Sequence, residues 1–184
     1  MCIENQIIRH CSPTLASLKT ASLFNLDYKD FNEMLVGLES SSAKLNPKGV
    51  YIELLKIKNN RALIYVYRKK SLENDLNSDS VRNILEYYGY RDFSIGGSLN
   101  RLRKRLCESD EFPHEIGLFL GYPPGDVLGF IMNDGRNFKC VGCWKVYCDE
   151  NESQKCFSKY NKCKSIYMRL FGEGRGIVSL TVAN

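Results

Sequence analysis

Hydrophobic residues near the start of the chain recur at spacings of three and four positions, which is typical of helices packed by one face. Ser12 and Pro13 form a helix-start signal, because serine caps free backbone N–H groups and proline fits the first turn. A second helix is predicted to begin at Asp27, and its apolar face follows: Tyr28, Phe31, Leu35 and Leu38. Residues 12–46 are therefore predicted to form a pair of helices.

The next segment has a pattern typical of strands. Residues 50–68 contain two runs rich in β-branched and aromatic residues, VYIELLKI and RALIYVY. Asn59 and Asn60 lie between these runs and tolerate the positive φ angles of a tight turn, so a β-hairpin is predicted. Both faces of the second run are apolar, and we expect that strand to lie inside the sheet rather than at its edge.

Three further segments complete the pattern. Residues 71–108 carry apolar stripes at helical spacing and are predicted to be helical. Residues 113–147 are predicted to form a strand, a helix and a strand interrupted near Gly142, because the apolar runs EIGLFLG and FKCVGCWKVY flank a turn that contains two prolines. Residues 152–171 repeat apolar positions every three or four residues, which predicts one long helix.

Together these elements predict an α+β fold, with a mixed or mostly antiparallel sheet of about four to five strands flanked by helices. The chain has 184 residues, which is sufficient for one hydrophobic core, and no stretch has the composition of a linker. We therefore expect residues 1–184 to form a single domain.

Composition and charge indicate the compartment of the protein and the classes of partner that it can bind. The N-terminal residues include charges where a signal peptide needs an apolar stretch, and no apolar run approaches the ~20 residues that span a bilayer. A cytoplasmic protein without a membrane partner is expected. Its eight cysteines are then thiols, metal ligands or catalytic groups rather than disulfides. The formal charge of +5 permits an anionic partner but disfavours a dedicated nucleic-acid binder, so the partner stays unknown.

Three short segments carry a resemblance to a known family. They are HCSPTLA at residues 10–16, PHEIG running into LGYP at residues 113–123, and WKVY at residues 144–147. The chain resembles an uncharacterised family of small bacterial proteins, the domain of unknown function 3793, which is met mainly in anaerobes. The resemblance covers nearly the whole chain. It implies a soluble bacterial protein of this length, and it supplies no assigned reaction or catalytic residue.

The first candidate site combines Cys11 with His114, one of two histidines in the chain. Cys11 directly precedes the predicted helix start, where the helix dipole and free N–H groups lower the pKa of a thiol. His114 would act as base or stabilising cation, and Glu115 or Asp126 would orient its ring. The simpler interpretation is that Cys11 is a small buried hydrophobe and that His114 bonds a loop carbonyl.

The second candidate site is the pair Cys140 and Cys143, with Cys148 five residues further on. Two thiolates separated by two residues chelate zinc or an iron–sulfur cluster when the backbone turns between them, as Gly142 permits. A structural zinc site needs four ligands, however, and no second cysteine pair or histidine pair completes this one. Cys156 and Cys163 fall on the apolar stripe of the last helix, where core packing explains them more simply.

The leading functional hypothesis is a thiol-dependent hydrolase or acyltransferase that uses Cys11 and His114. Its alternatives are a cysteine-based metal or redox-cofactor binding protein and a non-catalytic interaction module, so the sequence leaves open whether the protein is an enzyme. Residues 113–147 hold the only tryptophan, one histidine and the most closely spaced cysteine pair. Phe130, Trp144 and Tyr147 in this stretch are interpreted as core residues rather than as a ligand cage.

Overall fold

A computed structural model describes residues 2–108 and 111–183. The predicted α+β class is confirmed, since the described residues form both helices and antiparallel strands. In place of one larger sheet, the described residues form a three-stranded and a two-stranded sheet. The chain divides into two compact units: the terminal unit, which runs to Leu72 and resumes at Lys162, and the central unit, Glu73–Asn161. The expectation of a single domain stays a prediction.

The sheet of the terminal unit consists of β1 (Ala21–Asp27), β2 (Val50–Lys58) and β3 (Arg61–Arg68), in the order β1-β3-β2. Both pairings are antiparallel. Asn59 and Asn60 connect β2 to β3 with φ angles of 51° and 57°, a left-handed conformation in which asparagine is enriched. The hairpin predicted at residues 50–68 and the central position of its second strand are both confirmed.

The N-terminal segment differs from its prediction. α1 (Ile3–Leu15) and α2 (Phe31–Leu45) are helices, but β1 lies between them, so the prediction of a helical pair at residues 12–46 is wrong for the part before α2. Ser12 donates its hydroxyl to the carbonyl of Ile8, one turn earlier, and so lies within α1 instead of capping a helix.

Two details of this N-terminal segment, the pairing of β1 and the cap of α2, also differ from the prediction. β1 pairs with β3, and the register joins Ala21 to Tyr67. Local spacing carries no signal for a pairing over that distance along the chain. The cap of α2 is Asp30 rather than Asp27, because the Asp30 carboxylate accepts a hydrogen bond from the backbone N–H of Glu33 at 2.8 Å.

Helix predictions in the rest of the chain are confirmed. α3 (Lys69–Leu76), α4 (Asp79–Tyr87) and α5 (Ile95–Glu108) account for residues 71–108. α8 (Glu150–Gly172) is the long helix predicted at residues 152–171, and the short helix α9 (Ile177–Leu180) follows it. Within the described part of the chain, no helix combines the length and hydrophobicity required to cross a bilayer.

Residues 113–147 confirm the predicted helix and the interruption of the second strand near Gly142, but not the first strand. α6 (Ile116–Phe119) replaces the first strand, and all four of its residues are buried, so no apolar periodicity distinguishes a short helix from a strand there. α7 (Pro124–Met132) is the predicted helix. β4 (Cys140–Val141) and β5 (Lys145–Val146) form a tight antiparallel hairpin, the β4–β5 hairpin, and Gly142 lies in its turn, where the predicted strand is interrupted.

A buried guanidinium joins distant parts of the terminal unit. Arg68, at the end of β3, is fully buried. Its Nε donates to the carbonyl of Thr14 at 2.6 Å, and its Nη2 donates to the carbonyls of Leu15 at 2.6 Å and Val182 at 2.8 Å. The first two carbonyls belong to the last turn of α1, whose free C=O groups favour a cation. Arg68 therefore fixes the end of α1 and the segment after α9 to the sheet.

Candidate functional site

A cleft of about 340 Å³ lies within the central unit, and all its lining residues fall between Phe112 and Lys145. We refer to it as the aromatic cleft. It is bordered by the segment around α6, by α7 and by the β4–β5 hairpin. Its side chains that matter most for the chemistry are Phe112, His114, Tyr122, Phe130, Trp144 and Lys145. Aromatic rings and aliphatic groups make up most of this lining, with few polar atoms among them.

One wall of the aromatic cleft is formed by Trp144. Its indole stacks on the ring of Tyr122, with centroids 4.9 Å apart and an interplanar angle of 30°. The ring of Phe157 meets the indole edge-on at 4.6 Å. Tyr122 donates its hydroxyl to the carbonyl of Cys143 at 3.1 Å, and burial raises the pKa of Tyr122 to about 12. The phenol therefore stays neutral, and the indole is held in one orientation.

The turn of the β4–β5 hairpin depends on a close approach between backbone and ring. A Cβ added at Gly142 would lie 2.3 Å from a ring carbon of Phe157, a separation that real Cβ atoms do not adopt. Gly142 donates its N–H to the carbonyl of Trp144 at 3.0 Å, which closes the turn. Glycine at this position thus lets Phe157 reach the hairpin and support the indole.

Asp126 fixes the hairpin to α7. Its side chain is almost fully buried, and each oxygen accepts hydrogen bonds from the hairpin. The indole Nε1–H of Trp144 donates to Oδ2 at 2.7 Å, while the backbone N–H groups of Tyr147 and Cys148 each donate to Oδ1 at 2.8 Å. These bonds give Asp126 a structural role in building the cleft wall, and its role as the group that orients the His114 ring stays a prediction.

Glu115 is also engaged elsewhere. Its carboxylate is fully buried and accepts two hydrogen bonds from Arg105, Nε to Oε1 at 2.8 Å and Nη2 to Oε2 at 3.3 Å. The hydroxyl of Tyr90 donates to Oε1 at 3.2 Å, and burial raises the pKa of Tyr90. Glu115 does not line the aromatic cleft. It anchors the start of α6 to α5 through a bidentate ion pair.

His114 lines the aromatic cleft, and Cys11 lies in the other unit. The His114 side chain is exposed, and its ring meets Phe130 edge-on with centroids 5.0 Å apart. Cys11 lies inside α1 rather than ahead of a helix, and burial raises the pKa of its thiol. The helix-terminus argument for Cys11 is therefore wrong, because α1 begins eight positions earlier at Ile3. The Cys11–His114 dyad stays a prediction, without that support.

Of the three cysteines proposed as metal ligands, Cys140 lies in β4, Cys143 in the turn of the β4–β5 hairpin and Cys148 two residues after β5. Burial, followed by the charge of Glu150, raises the pKa of Cys140. Burial and the neighbouring Asp126 raise the pKa of Cys148. Cys143 lies in the turn and lines the aromatic cleft. Among residues 2–108 and 111–183, no group of three or more His, Cys, Asp or Glu side chains could hold a metal ion. Zinc or an iron–sulfur cluster at Cys140, Cys143 and Cys148 thus lacks an assembled ligand set.

Sequence reasoning placed Phe130 and Trp144 in the core, whereas both line the cleft. It also did not single out Tyr122 and Lys145 as site residues. The available signal was the concentration of unusual residues within residues 113–147, which pointed to this region but not to the exposed side of each ring.

Comparison with known proteins gives one match. The family model described as "Protein of unknown function (DUF3793)" matches residues 7–181. No curated protein and no solved structure matches the chain.

Proposed function

The chain belongs to the DUF3793 family, as its resemblance indicated, and we propose that the aromatic cleft of this member binds a small, flat, largely apolar molecule. The cleft volume of about 340 Å³ falls within the size range of small-molecule sites. Such sites combine apolar and aromatic walls with a few oriented polar groups, and this cleft has the same composition.

The ordered indole of Trp144 is the observation that carries the proposal. Tyr122 stacks on it, Phe157 supports its edge and Asp126 accepts its N–H. Its side chain is nevertheless only half-buried and borders the cleft. A ring that is fixed before binding loses little conformational entropy when a flat molecule stacks on it, which favours affinity.

This proposal develops the non-catalytic alternative that the sequence left open. It needs neither an ionised thiol nor a metal ion. The thiol-enzyme hypothesis requires Cys11 to react as a thiolate, whereas burial raises the pKa of Cys11 and favours the neutral thiol. Binding in the aromatic cleft uses side chains of the central unit, to which Cys11 does not belong.

Trp144 provides a direct test, because it is the only tryptophan in the chain. Para-trifluoromethylbenzamide, a flat and uncharged probe, is titrated into the protein while tryptophan fluorescence and the fluorine NMR signal of the probe are recorded. We expect a saturable fluorescence change whose midpoint agrees with the NMR titration. No saturable change in either signal would contradict the proposal.

A pair of matched variants locates the binding site. Phe112 lines the aromatic cleft and is 47% exposed, and Phe31, in the terminal unit, is 41% exposed. Phe112→Ala is expected to weaken probe binding about fivefold, since it removes one aromatic contact. Phe31→Ala removes a ring of similar exposure and should leave binding unchanged. Equal effects of the two substitutions would place the probe outside the cleft.

A further inference from the structure

Lys145 places a positive charge in the lining of the aromatic cleft. It lies at the start of β5 and is half-buried. Its Nζ is 5.5 Å from the ring centroid of Phe130 and 5.0 Å from that of Phe138, and it donates to the carbonyl of Gly135 at 2.7 Å. These contacts orient the ammonium group, because each aromatic face attracts a cation.

The charge of Lys145 is not neutralised by a carboxylate in the part of the chain that the structure describes. Its contacts there are one carbonyl and two aromatic rings. Asp126 also lines the cleft, but its two oxygens accept from Trp144, Tyr147 and Cys148. An ammonium group has three N–H donors, so donors remain after the bond to Gly135. A half-buried cation with spare donors is stabilised by an anionic ligand.

The polar end of the cleft lies around the ring of Phe130, where two side chains with N–H donors meet this ring. Lys145 lies over this ring, and His114 meets the same ring edge-on at 5.0 Å. Tyr122 and Trp144 form the stacked wall. The cleft thus provides both a stacking surface and a cluster of N–H donors around Phe130, which suits a ligand with a flat body and one acidic group.

We infer that the ligand of the aromatic cleft is a flat aromatic carboxylate whose carboxylate group binds the ammonium of Lys145. This inference rests on the proposed function and specifies its ligand class. A single negative charge matches the single lysine. Among the described residues that line the cleft, none is an arginine, the side chain that favours bidentate binding of phosphate. The ligand class is therefore a monocarboxylate rather than a phosphate ester.

The test compares para-trifluoromethylbenzoate with its uncharged amide, para-trifluoromethylbenzamide. The two probes have the same ring and differ in the acidic group. We expect the benzoate to bind about tenfold more tightly than the amide, as one charge-assisted contact provides. The preference should decrease as salt concentration rises, because the attraction is electrostatic.

Substitutions at two lysines of the same hairpin region assign the effect. Lys145→Gln should weaken benzoate binding about tenfold and change amide binding less than about twofold, whereas Lys145→Arg should retain the preference for benzoate. Lys139→Gln is the matched control. It removes the same charge, but the Lys139 Nζ donates to the carbonyl of Cys148 at 2.5 Å and the residue does not line the cleft.

The outcomes separate this inference from the proposed function. If the amide binds as tightly as the benzoate, the carboxylate inference is overturned and the proposed function stands. Equal losses in Lys145→Gln and Lys139→Gln, or loss of the benzoate preference in Lys145→Arg, also overturn it. If neither probe binds, the proposed function fails and the inference fails with it. Retained amide binding by Lys145→Gln demonstrates that this variant keeps an intact cleft.

Discussion

The buried carboxylates and the buried thiol of this protein differ in the neighbours that surround them. Asp126 has its oxygens occupied by one indole and two backbone N–H groups, and Glu115 is held by a guanidinium and a phenol. Cys11 lies in the apolar core, and burial raises its pKa, although the charge of Lys19 and a hydrogen bond with Ser22 act in the opposite direction. The oxygens of both carboxylates are thus engaged in structural contacts, and a buried thiol is a poor nucleophile.

At the residue scale, we predict that Cys11 resists alkylation in the native protein. Iodoacetamide reacts with thiolates, and both burial and the raised pKa of Cys11 keep that fraction small at neutral pH. Mass spectrometry of briefly treated native protein should find label on the exposed thiols: Cys2, Cys107, Cys143 and Cys148.

The control is the same reaction after denaturation, in which Cys11 should become labelled like the others. Labelling of native Cys11 as fast as Cys2 would contradict this prediction and would revive the thiol-enzyme hypothesis.

At the scale of elements, α7 and the β4–β5 hairpin together form one wall of the aromatic cleft. The hairpin strands contain two residues each, so their own ladder of hydrogen bonds is short. Asp126, in the first turn of α7, supplies three additional bonds from its side chain. The cleft wall therefore depends on a tertiary contact more than on strand pairing, since an isolated short hairpin is marginally stable in water.

We predict that Asp126→Asn destabilises the contact between α7 and the β4–β5 hairpin. Asparagine keeps one acceptor oxygen, but its amide NH2 group replaces the other oxygen. This NH2 group then faces either the indole N–H or the two backbone N–H groups, none of which can donate to it. The free energy of unfolding should fall by about 2 kcal/mol, since buried donors lose their partner. Urea denaturation followed by Trp144 fluorescence measures this change and reports the hairpin itself.

Asp134→Asn serves as its control. Asp134 is exposed in the turn after α7, and its φ of 50° is a conformation that asparagine adopts readily. We expect its unfolding midpoint to match that of the unsubstituted protein. Identical midpoints for the two asparagine variants would show that Asp126 contributes no more than a surface carboxylate.

Elements with a local signal were predictable from the sequence. The hairpin of β2 and β3 is marked by Asn59 and Asn60, and α8 carries a periodic apolar stripe through its length. β1 was missed because its partner, β3, lies far along the chain. The sequence predicts a strand at α6, whose residues are all buried in the structure, because an uninterrupted apolar run lacks the periodicity that separates a helix from a strand.

The candidate site was predictable in region but not in detail. His114 does line the cleft, and so does Cys143. The sequence suggests Glu115 and Asp126 as groups that orient the His114 ring, whereas their hydrogen-bond partners include Arg105 of α5 and Trp144 of the β4–β5 hairpin, contacts that a linear sequence does not specify. Whether Trp144 is core or cleft wall depends on which side of the ring remains uncovered, a property of the packed structure alone.

At the scale of the whole molecule, the terminal unit is assembled from both ends of the chain. α1, α2 and the three-stranded sheet come from its first part, and the second half of α8 and α9 come from its last part. One continuous apolar core includes residues of both parts: Ile7, Ile8, Phe24, Ile64, Ile177 and Leu180. Arg68 adds polar contacts between them through the carbonyls of Leu15 and Val182.

We predict that Arg68→Met lowers the free energy of unfolding by about 3 kcal/mol, because several buried carbonyls lose a charged donor at once. Methionine retains much of the side-chain volume, so the loss reports the polar contacts rather than a cavity. Urea denaturation monitored by circular dichroism measures the change.

Arg61→Met is the companion variant, at the opposite end of the same strand. Arg61 forms an exposed ion pair with Asp27 at 2.8 Å. Solvent screens such pairs, so this substitution should leave the unfolding midpoint nearly unchanged. An effect of Arg61→Met as large as that of Arg68→Met would contradict the role assigned to the buried guanidinium.

The bond between Arg68 and Val182 spans 114 positions of the sequence, and this separation sets an order of events on the ribosome. When Arg68 leaves the exit tunnel, its last carbonyl partner has not yet been synthesised. All of Glu73–Asn161 emerges before Lys162–Asn184, the residues that complete the terminal unit. The central unit can thus fold during synthesis, while β1, β2 and β3 still lack their contacts with the segment that contains α9.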